Sequence, residues 1–80
     1  MITSSPQHRW QLLYRAAILE QDWSRIGDRV SQAQRAIVDR KRELAQNTGQ
    51  QAQLEEEAMD DALYTLHALE STNEHRLNAA

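Results

Sequence analysis

Three residues near the end of the chain, His67, Glu70 and Glu74, have the types and spacing that come closest to a metal site. They are three and four positions apart, so a helix places all three side chains on one face. A metal ion inside a helical bundle is typically held by Glu-x-x-His motifs on paired helices, and the sequence contains none. We therefore expect a solvated polar edge here, with no bound metal ion and no cofactor.

Two groups of neighbouring carboxylates, Glu55 to Glu57 and Asp60 with Asp61, raise the question of acid–base chemistry. Proton transfer by such a pair requires a pocket that positions a substrate beside it, and a helical chain of 80 residues has little room for one. The sequence also lacks a Gly-rich phosphate loop and any nucleotide fingerprint. We predict that these carboxylates lie on a solvated face, and that the chain is not an enzyme and takes no small-molecule substrate.

The segment Leu66-His67-Ala68-Leu69-Glu70 resembles the His-x-Leu core of histidine phosphotransfer domains, in which an exposed histidine on a helical bundle accepts a phosphoryl group. The resemblance implies that His67 is the phosphoacceptor of a small phosphorelay or regulatory domain. The Lys and Gly of that pattern are replaced here by Glu70 and Ser71, and the negative charge of Glu70 would repel an incoming phosphoaspartate. A phosphorelay role for His67 is therefore the first alternative to a purely binding role.

The composition predicts one small all-helical domain over residues 1–80. With 80 residues, two glycines, one proline and no cysteine, the chain has few helix breakers and can form neither a disulfide bond nor a thiolate metal site. A core of this size is marginally stable unless its helices pack very regularly or a second subunit adds to it. Residues 1–5 are expected to form a flexible lead and residues 78–80 a frayed tail.

Charge and hydropathy limit the classes of partner. The net charge of −3 provides no overall attraction to nucleic acid or to an anionic membrane, and no apolar run approaches the ~20 residues of a membrane span. The first residues do not read as a secretory signal, so we expect a cytoplasmic protein without a membrane partner.

The sequence contains one basic patch, in which acidic residues alternate with the basic ones. Because nucleic-acid binders usually present a basic face without such acids, a nucleic-acid accessory role is only the second alternative. The patch consists of Arg35, Asp39, Arg40, Lys41, Arg42 and Glu43.

Apolar residues repeat at heptad spacing along two segments, which predicts two helices that each bury one face. In the first segment these residues are Trp23, Ile26, Val30, Ala33, Ile37 and Leu44, and Arg40 fills the skipped position. In the last segment they are Met59, Ala62, Leu66 and Leu69, the polar Asn73 follows at the same spacing, and Leu63 and Leu77 widen the stripe. Residues 47–49 are the expected turn, where Gly49 can take the left-handed conformation that closes a helix.

Two helices joined by so short a turn must run antiparallel, so the pattern predicts a hairpin of residues 23–46 and 50–77. Folding the chain about the turn brings Ile37 near Met59 and Val30 near Leu66. The same register sets a basic run opposite an acidic run, which favours this alignment. These runs are Arg40, Lys41 and Arg42 on one helix and Glu55, Glu56 and Glu57 on the other.

The segment before Asp22 supports two interpretations. Leu12, Ala16 and Leu19 continue the heptad spacing into Trp23, as in one unbroken helix from about residue 7 to residue 46. A second apolar face exists, however, and Asp22 is a good helix cap but a poor mid-helix residue. This second face consists of Trp10, Leu13, Tyr14, Ala17 and Ile18. We favour a break near Asp22, with a short helix over about residues 6–20 packed across the open end of the hairpin.

The side chains of this second face, together with one tyrosine on the last helix, are the candidates for contact with a partner. They are Trp10, Leu13, Tyr14, Ala17 and Tyr64. Aromatic side chains are enriched among the anchors of protein interfaces, and Tyr64 lies on the side of its helix away from the apolar stripe. We predict a non-catalytic helical module that binds protein, including its own copy, as a homodimer in which the hairpins form a helical bundle.

Overall fold

A computed structural model describes residues 9–46 and 49–79, with side chains as far as residue 76. These residues form three α-helices, α1 (Arg9–Leu19), α2 (Trp23–Leu44) and α3 (Gln50–Ala79), and no strand. The all-α class is therefore confirmed for the described residues. The predicted lead over residues 1–5 lies outside them, and so does the last residue of the predicted tail. The helix α3 itself continues to Ala79, beyond its expected end at residue 77.

The chain breaks between α1 and α2 at Asp22, as in the favoured of the two interpretations. Asp22 has an extended backbone, and its Oδ1 accepts hydrogen bonds from the backbone N–H of Ser24 over 3.0 Å and from the Ser24 hydroxyl over 2.7 Å. This is the N-cap arrangement, which satisfies a backbone donor that the first turn of a helix leaves without a partner. Arg29 of α2 also donates to Glu20 over 2.9 Å, so the connection is tied to the helix that follows it.

The far end of α2 closes without the left-handed glycine that the sequence predicted. The residue that caps α2 is Ala45, in the right-handed helical conformation, so Gly49 is not the residue that closes this helix. The backbone N–H of Ala45 donates to the carbonyl of Lys41 over 3.0 Å, and that of Gln46 donates to the carbonyl of Glu43. Because these bonds already use the last carbonyls of the helix, no left-handed residue is required there.

The core is the predicted apolar seam of α2 and α3. On α2 the buried seam residues are Ile26, Val30, Ala33, Ile37 and Leu44, and on α3 they are Met59, Ala62, Leu66 and Asn73. Ile37, Met59, Leu66 and Val30 are the largest of the completely buried side chains. Each such side chain contributes ~1.5–3 kcal/mol relative to an exposed one, so this seam provides much of the stability of the chain.

Trp23 lies at the surface and not on the buried seam where the sequence predicts it, and so do two residues of α1 that would extend the seam only in one unbroken helix. Leu12 and Leu19 of α1 are exposed, and Trp23 is 48% exposed. Trp23 has the guanidinium carbon of Arg76 5.0 Å from its ring centroid, which is a cation–π contact between the start of α2 and the last part of α3. In the sequence, Leu12 and Leu19 continue the heptad spacing of α2. In the structure, the loop turns α1 so that its other apolar face is buried.

The position of α1 also differs from the prediction. It packs chiefly on α2, and Trp10 borders a cleft of about 220 Å³ beside Ala36, Asp39 and Arg40. The start of α1 therefore lies next to the second half of α2, so α1 runs back alongside α2 and does not cross an open end. A connection of only three residues favours such a side-by-side return.

Candidate functional site

The structure places the five predicted contact residues in three different environments. Trp10 and Ala17 are buried, Leu13 and Tyr14 are half-buried against the core, and Tyr64 is 78% exposed. The first four are spaced as one helical face, and this face attaches α1 to the rest of the chain. Trp10 and Ala17 are therefore covered mainly by contacts within the chain. Tyr64 is separate from them, on the outer side of α3.

A polar cluster connects the three helices through Glu55. Its Oε2 accepts a hydrogen bond from Nε1 of Trp10 over 3.0 Å and one from Nε of Arg40 over 2.7 Å, and its Oε1 accepts from Nη2 of Arg40 over 3.0 Å. Arg40 also donates to Glu43 over 2.8 Å. Hydrogen bonds to Glu55, and then to Glu43, raise the pKa of Arg40 above its ordinary value. We call these four residues the Glu55 cluster.

The Glu55 cluster fixes α1 relative to α2 and α3. Its bonds involve charged groups that are mostly shielded from water, with 15% of the Glu55 side chain and 25% of the Arg40 side chain exposed. Such charge-assisted bonds are short and directional. The ring N–H of Trp10 is satisfied by them, which is the condition for burying an indole. The cluster therefore has a positioning role.

Sequence reasoning missed Glu55 as the partner of Trp10, although a signal for it exists. Arg40 occupies the heptad position between Ile37 and Leu44, and Glu55 lies three residues after Ala52 and four before Met59. Both charged residues thus stand at seam positions, which points to a polar layer inside the helix packing. Trp10 could not be added to that layer, because the sequence does not say which way α1 turns after the break.

A groove of about 500 Å³ runs between α1 and α3. Its lining residues are Trp10, Gln11, Tyr14, Arg15, Ile18, Ala58, Asp61 and Ala62. Aromatic and aliphatic side chains form most of the groove, and small alanines form much of its α3 wall. Arg15 on the α1 wall and Asp61 on the α3 wall are exposed, and neither is paired with another described residue. We call this feature the α1–α3 groove.

Large apolar side chains remain exposed around and beyond this groove. They are Leu12, Ile18, Leu19, Trp23, Val38, Leu54 and Tyr64. Three of them belong to α1, so this 11-residue helix still presents apolar surface after its own packing face has been covered. Scattered exposed leucines are normal on proteins, whereas apolar residues beside an open groove often mark an interaction surface.

The structure also places the residues of the predicted alternatives. His67 is exposed on α3, with Glu70 half-buried and Glu74 exposed, and the described residues contain no cluster of three or more candidate ligands placed to hold a metal ion. Two cations of the basic patch are engaged in ion pairs, Arg40 with Glu55 and Lys41 with Asp60. In the part of the chain that the structure describes, no helix combines the length and apolarity required to cross a bilayer.

Comparison of the chain with protein families, curated proteins and solved structures finds no match.

Proposed function

We propose that this chain is a non-catalytic helical module that binds protein and associates with a second copy of itself. In this proposal α2 and α3 form an antiparallel hairpin, α1 braces the hairpin through the Glu55 cluster, and two hairpins combine into a larger helical bundle. The observation that carries the proposal is the α1–α3 groove, which is lined by apolar side chains and open to solvent in the single chain.

The contacts between α2 and α3 support the hairpin. Lys41 near the end of α2 pairs with Asp60 in the first half of α3, and Trp23 at the start of α2 stacks with Arg76 near the end of α3. Early residues of one helix thus meet late residues of the other. The connection between the two helices spans only residues 45–49, and short connections join antiparallel neighbours.

The distribution of apolar surface supports association. A helical chain of 80 residues has a small core, and a second subunit is a common source of further burial for chains of this size. The surface available for it lies on α1, where Ile18 faces the groove and is 45% exposed. Burying such residues between two copies removes apolar area from water, which is the main favourable term in protein association.

Sedimentation equilibrium from low to high micromolar concentration tests this function. We expect the wild-type chain to move from monomer to dimer, and Ile18→Glu to weaken the dimer by at least about tenfold, because it places a charge in a contact that should be apolar. Val38→Glu is the matched control, since Val38 is also 45% exposed but lies on the outer side of α2. A wild-type chain that stays monomeric at high micromolar concentration would contradict self-association.

A phosphorelay role remains the second candidate, and the exposure of His67 on α3 is the observation that favours it. Incubation with a small phosphodonor, followed by intact-mass measurement and acid treatment, tests it, because phosphohistidine is acid-labile. His75 is an exposed histidine on the same helix, so His75→Ala is the matched control for His67→Ala. Labelling that survives His67→Ala, or that never occurs with several donors, would contradict this candidate.

A further inference from the structure

The two walls of the α1–α3 groove run in the same direction. Trp10, in the first turn of α1, reaches Glu55 in the second turn of α3. The start of α1 lies beside Arg40 and its end connects to Trp23, so α1 runs opposite to α2, as α3 does. Moving forward along α1 therefore means moving forward along α3. Because both helices rise by 1.5 Å per residue, residues of the two walls keep a constant register, and Arg15 and Asp61 lie at nearly the same level.

The two walls carry opposite charge. The sequence of α1 contains Arg9 and Arg15 and no acidic residue, whereas the only Lys or Arg in α3 is Arg76. The acidic residues of α3 are Glu55, Glu56, Glu57, Asp60, Asp61, Glu70 and Glu74. At the groove itself this contrast reduces to Arg15 on one side and Asp61 on the other, both exposed and neither paired with a described residue.

From this arrangement we infer that the occupant of the α1–α3 groove is the same groove of a second copy. The two copies are related by a two-fold axis that runs along the groove, parallel to α1 and α3. This inference rests on the proposed self-association and specifies its geometry. The axis sets α1 of each copy over α3 of the other and places Arg15 of each copy beside Asp61 of the other.

The charge pattern selects this occupant. A two-fold axis along the helices places the α1 wall of one copy against the α3 wall of the other and does not shift either copy along the helix direction. Arg15 of each copy therefore meets Asp61 of the other, which gives two such pairs in one dimer. An isologous interface of this kind is the most common form of homodimer. A two-fold axis across the helices would instead set α1 over α1 and oppose like charges.

The α3 wall of the groove is shaped to lie against a helix of the second copy. Ala58 and Ala62 on the α3 wall are small, and small residues allow the backbone of a second helix to approach closely. Tyr14 and Ile18 of the opposite copy are the side chains that fill the space above them. In this arrangement α1 and α3 of the two copies form four helices around the axis, with apolar side chains inside and the Arg15–Asp61 pairs at the rim. Rim pairs contribute little affinity but set orientation.

Charge reversal tests the inference directly by sedimentation velocity. Arg15→Glu sets acid against acid twice in the dimer, and Asp61→Arg sets base against base twice, so each variant alone should dimerise at least about tenfold more weakly than the wild type. An equimolar mixture of the two variants contains two attractive pairs in the mixed dimer, and the double variant contains two reversed pairs. Both should regain wild-type association to within about threefold.

The outcomes separate the geometry from the function. Arg35→Glu, on the outer side of α2, is the control for a change of net charge and should leave the dimer unchanged. A wild-type dimer that ignores both reversals, or a mixture that fails to recover while each variant retains wild-type helicity in circular dichroism, would overturn the two-fold groove contact and leave self-association standing. A strictly monomeric wild type would overturn both. Recovery in the mixture requires Arg15 and Asp61 to meet between copies, since a pair within one chain gains nothing from mixing.

Discussion

The ring N–H of Trp10 donates a hydrogen bond of 3.0 Å to the carboxylate of Glu55, across 45 positions of sequence. The same carboxylate oxygen accepts from Arg40 over 2.7 Å. One side chain of α3 therefore holds α1 and α2 at the same time. The α1–α3 groove has Trp10 as part of its lining, so the bond that fixes Trp10 also shapes the surface proposed to receive a second copy.

Removal of the carboxylate should destabilise the chain. We expect Glu55→Ala to lower the free energy of unfolding by ~1–3 kcal/mol, because the buried indole N–H of Trp10 loses its acceptor and Arg40 loses its bonds across to α3. Trp10→Phe loses the donor and also replaces the buried indole by a smaller ring, so it should cost ~1–3 kcal/mol. Urea denaturation measures both. Glu56→Ala is the control, as Glu56 is exposed, and it should change stability by no more than ~0.5 kcal/mol. An equal effect of Glu55→Ala and Glu56→Ala would show that the cluster does not hold α1.

Truncation of the buried seam gives the second prediction. Ile37 and Leu66 are completely buried, so Ile37→Ala and Leu66→Ala should each cost ~2–5 kcal/mol in chemical denaturation. In a chain this small such a loss approaches the whole stability, which is commonly ~5 kcal/mol for small domains. Tyr64, at 78% exposed, should tolerate Tyr64→Ala within about 1 kcal/mol. Equal sensitivity of Tyr64 and Leu66 in the monomer would contradict the orientation of α3.

The sequence could predict the seam of α2 and α3, because each helix is longer than five turns and its apolar spacing is regular. It could not predict which face of α1 is buried. Leu12, Leu19 and Ile26 are each seven residues apart. This spacing places them on one face only if the helix is continuous, and the loop after Leu19 interrupts the helix. Burial of Trp10 and Ala17 instead follows from the size of the apolar face that they share with Leu13 and Tyr14.

The contact surface was harder to predict for the same reason. The sequence predicts Trp10 and Ala17 as contact residues because a helix with two apolar faces must bury both. It does not reveal which of the two faces is covered within the chain. The groove is formed by two segments, α1 and α3, that are distant in sequence but adjacent after folding. A variant such as Trp10→Ala with Leu13→Ala therefore removes support for α1, so loss of binding in it would report on folding as well as on contact.

The cap at Asp22 gives the third prediction. Asp22→Ala should lower the melting temperature, because the first turn of α2 loses the acceptor for the backbone N–H of Ser24. Asp22→Asn retains a capping oxygen and is the matched control. Gly27→Ala should raise stability by ~0.5–1 kcal/mol, since Gly27 lies inside α2 and a Cβ there meets no atom within 4 Å. A higher melting temperature for Asp22→Ala would favour one continuous helix.

Acid sensitivity of the same connection gives the fourth prediction. The hydrogen bond from Arg29, and then that from the backbone N–H of Asp22, lower the pKa of Glu20 below its ordinary value of 4.5. The hydroxyl and backbone N–H of Ser24 lower the pKa of Asp22 below 3.8. Because both pKa values are lower in the folded chain, the stabilisation is complete above these ordinary values and is lost as the pH falls through the folded ones.

Melting temperatures recorded between pH 7 and pH 2.5 test this effect. The wild type should lose stability below about pH 4.5, and a Glu20→Gln, Asp22→Asn double variant should lose less over the same range, because two of the groups that take up protons on unfolding are gone. Other carboxylates remain in both chains, so the difference between the two curves is the quantity to compare. Parallel curves would show that the connection does not contribute to acid sensitivity.

Asn73 gives the last prediction, because it is a polar residue in an apolar seam. It is 6% exposed, and its Oδ1 accepts no hydrogen bond from any described residue. A buried acceptor without a partner costs ~1–3 kcal/mol, and Leu is close to Asn in shape and a better helix former. We therefore expect Asn73→Leu to raise the free energy of unfolding by ~1–3 kcal/mol, measured by urea denaturation. Glu74→Leu, at an exposed position, should change it by no more than ~0.5 kcal/mol.

A buried Asn can also specify one alignment of packed helices at a cost in stability. If Asn73 fixes the register of α2 and α3, the stabilised variant should show more than one set of amide resonances. Destabilisation by Asn73→Leu would mean that the amide has a partner, such as a bound water, or that the seam has no room for the two methyl groups.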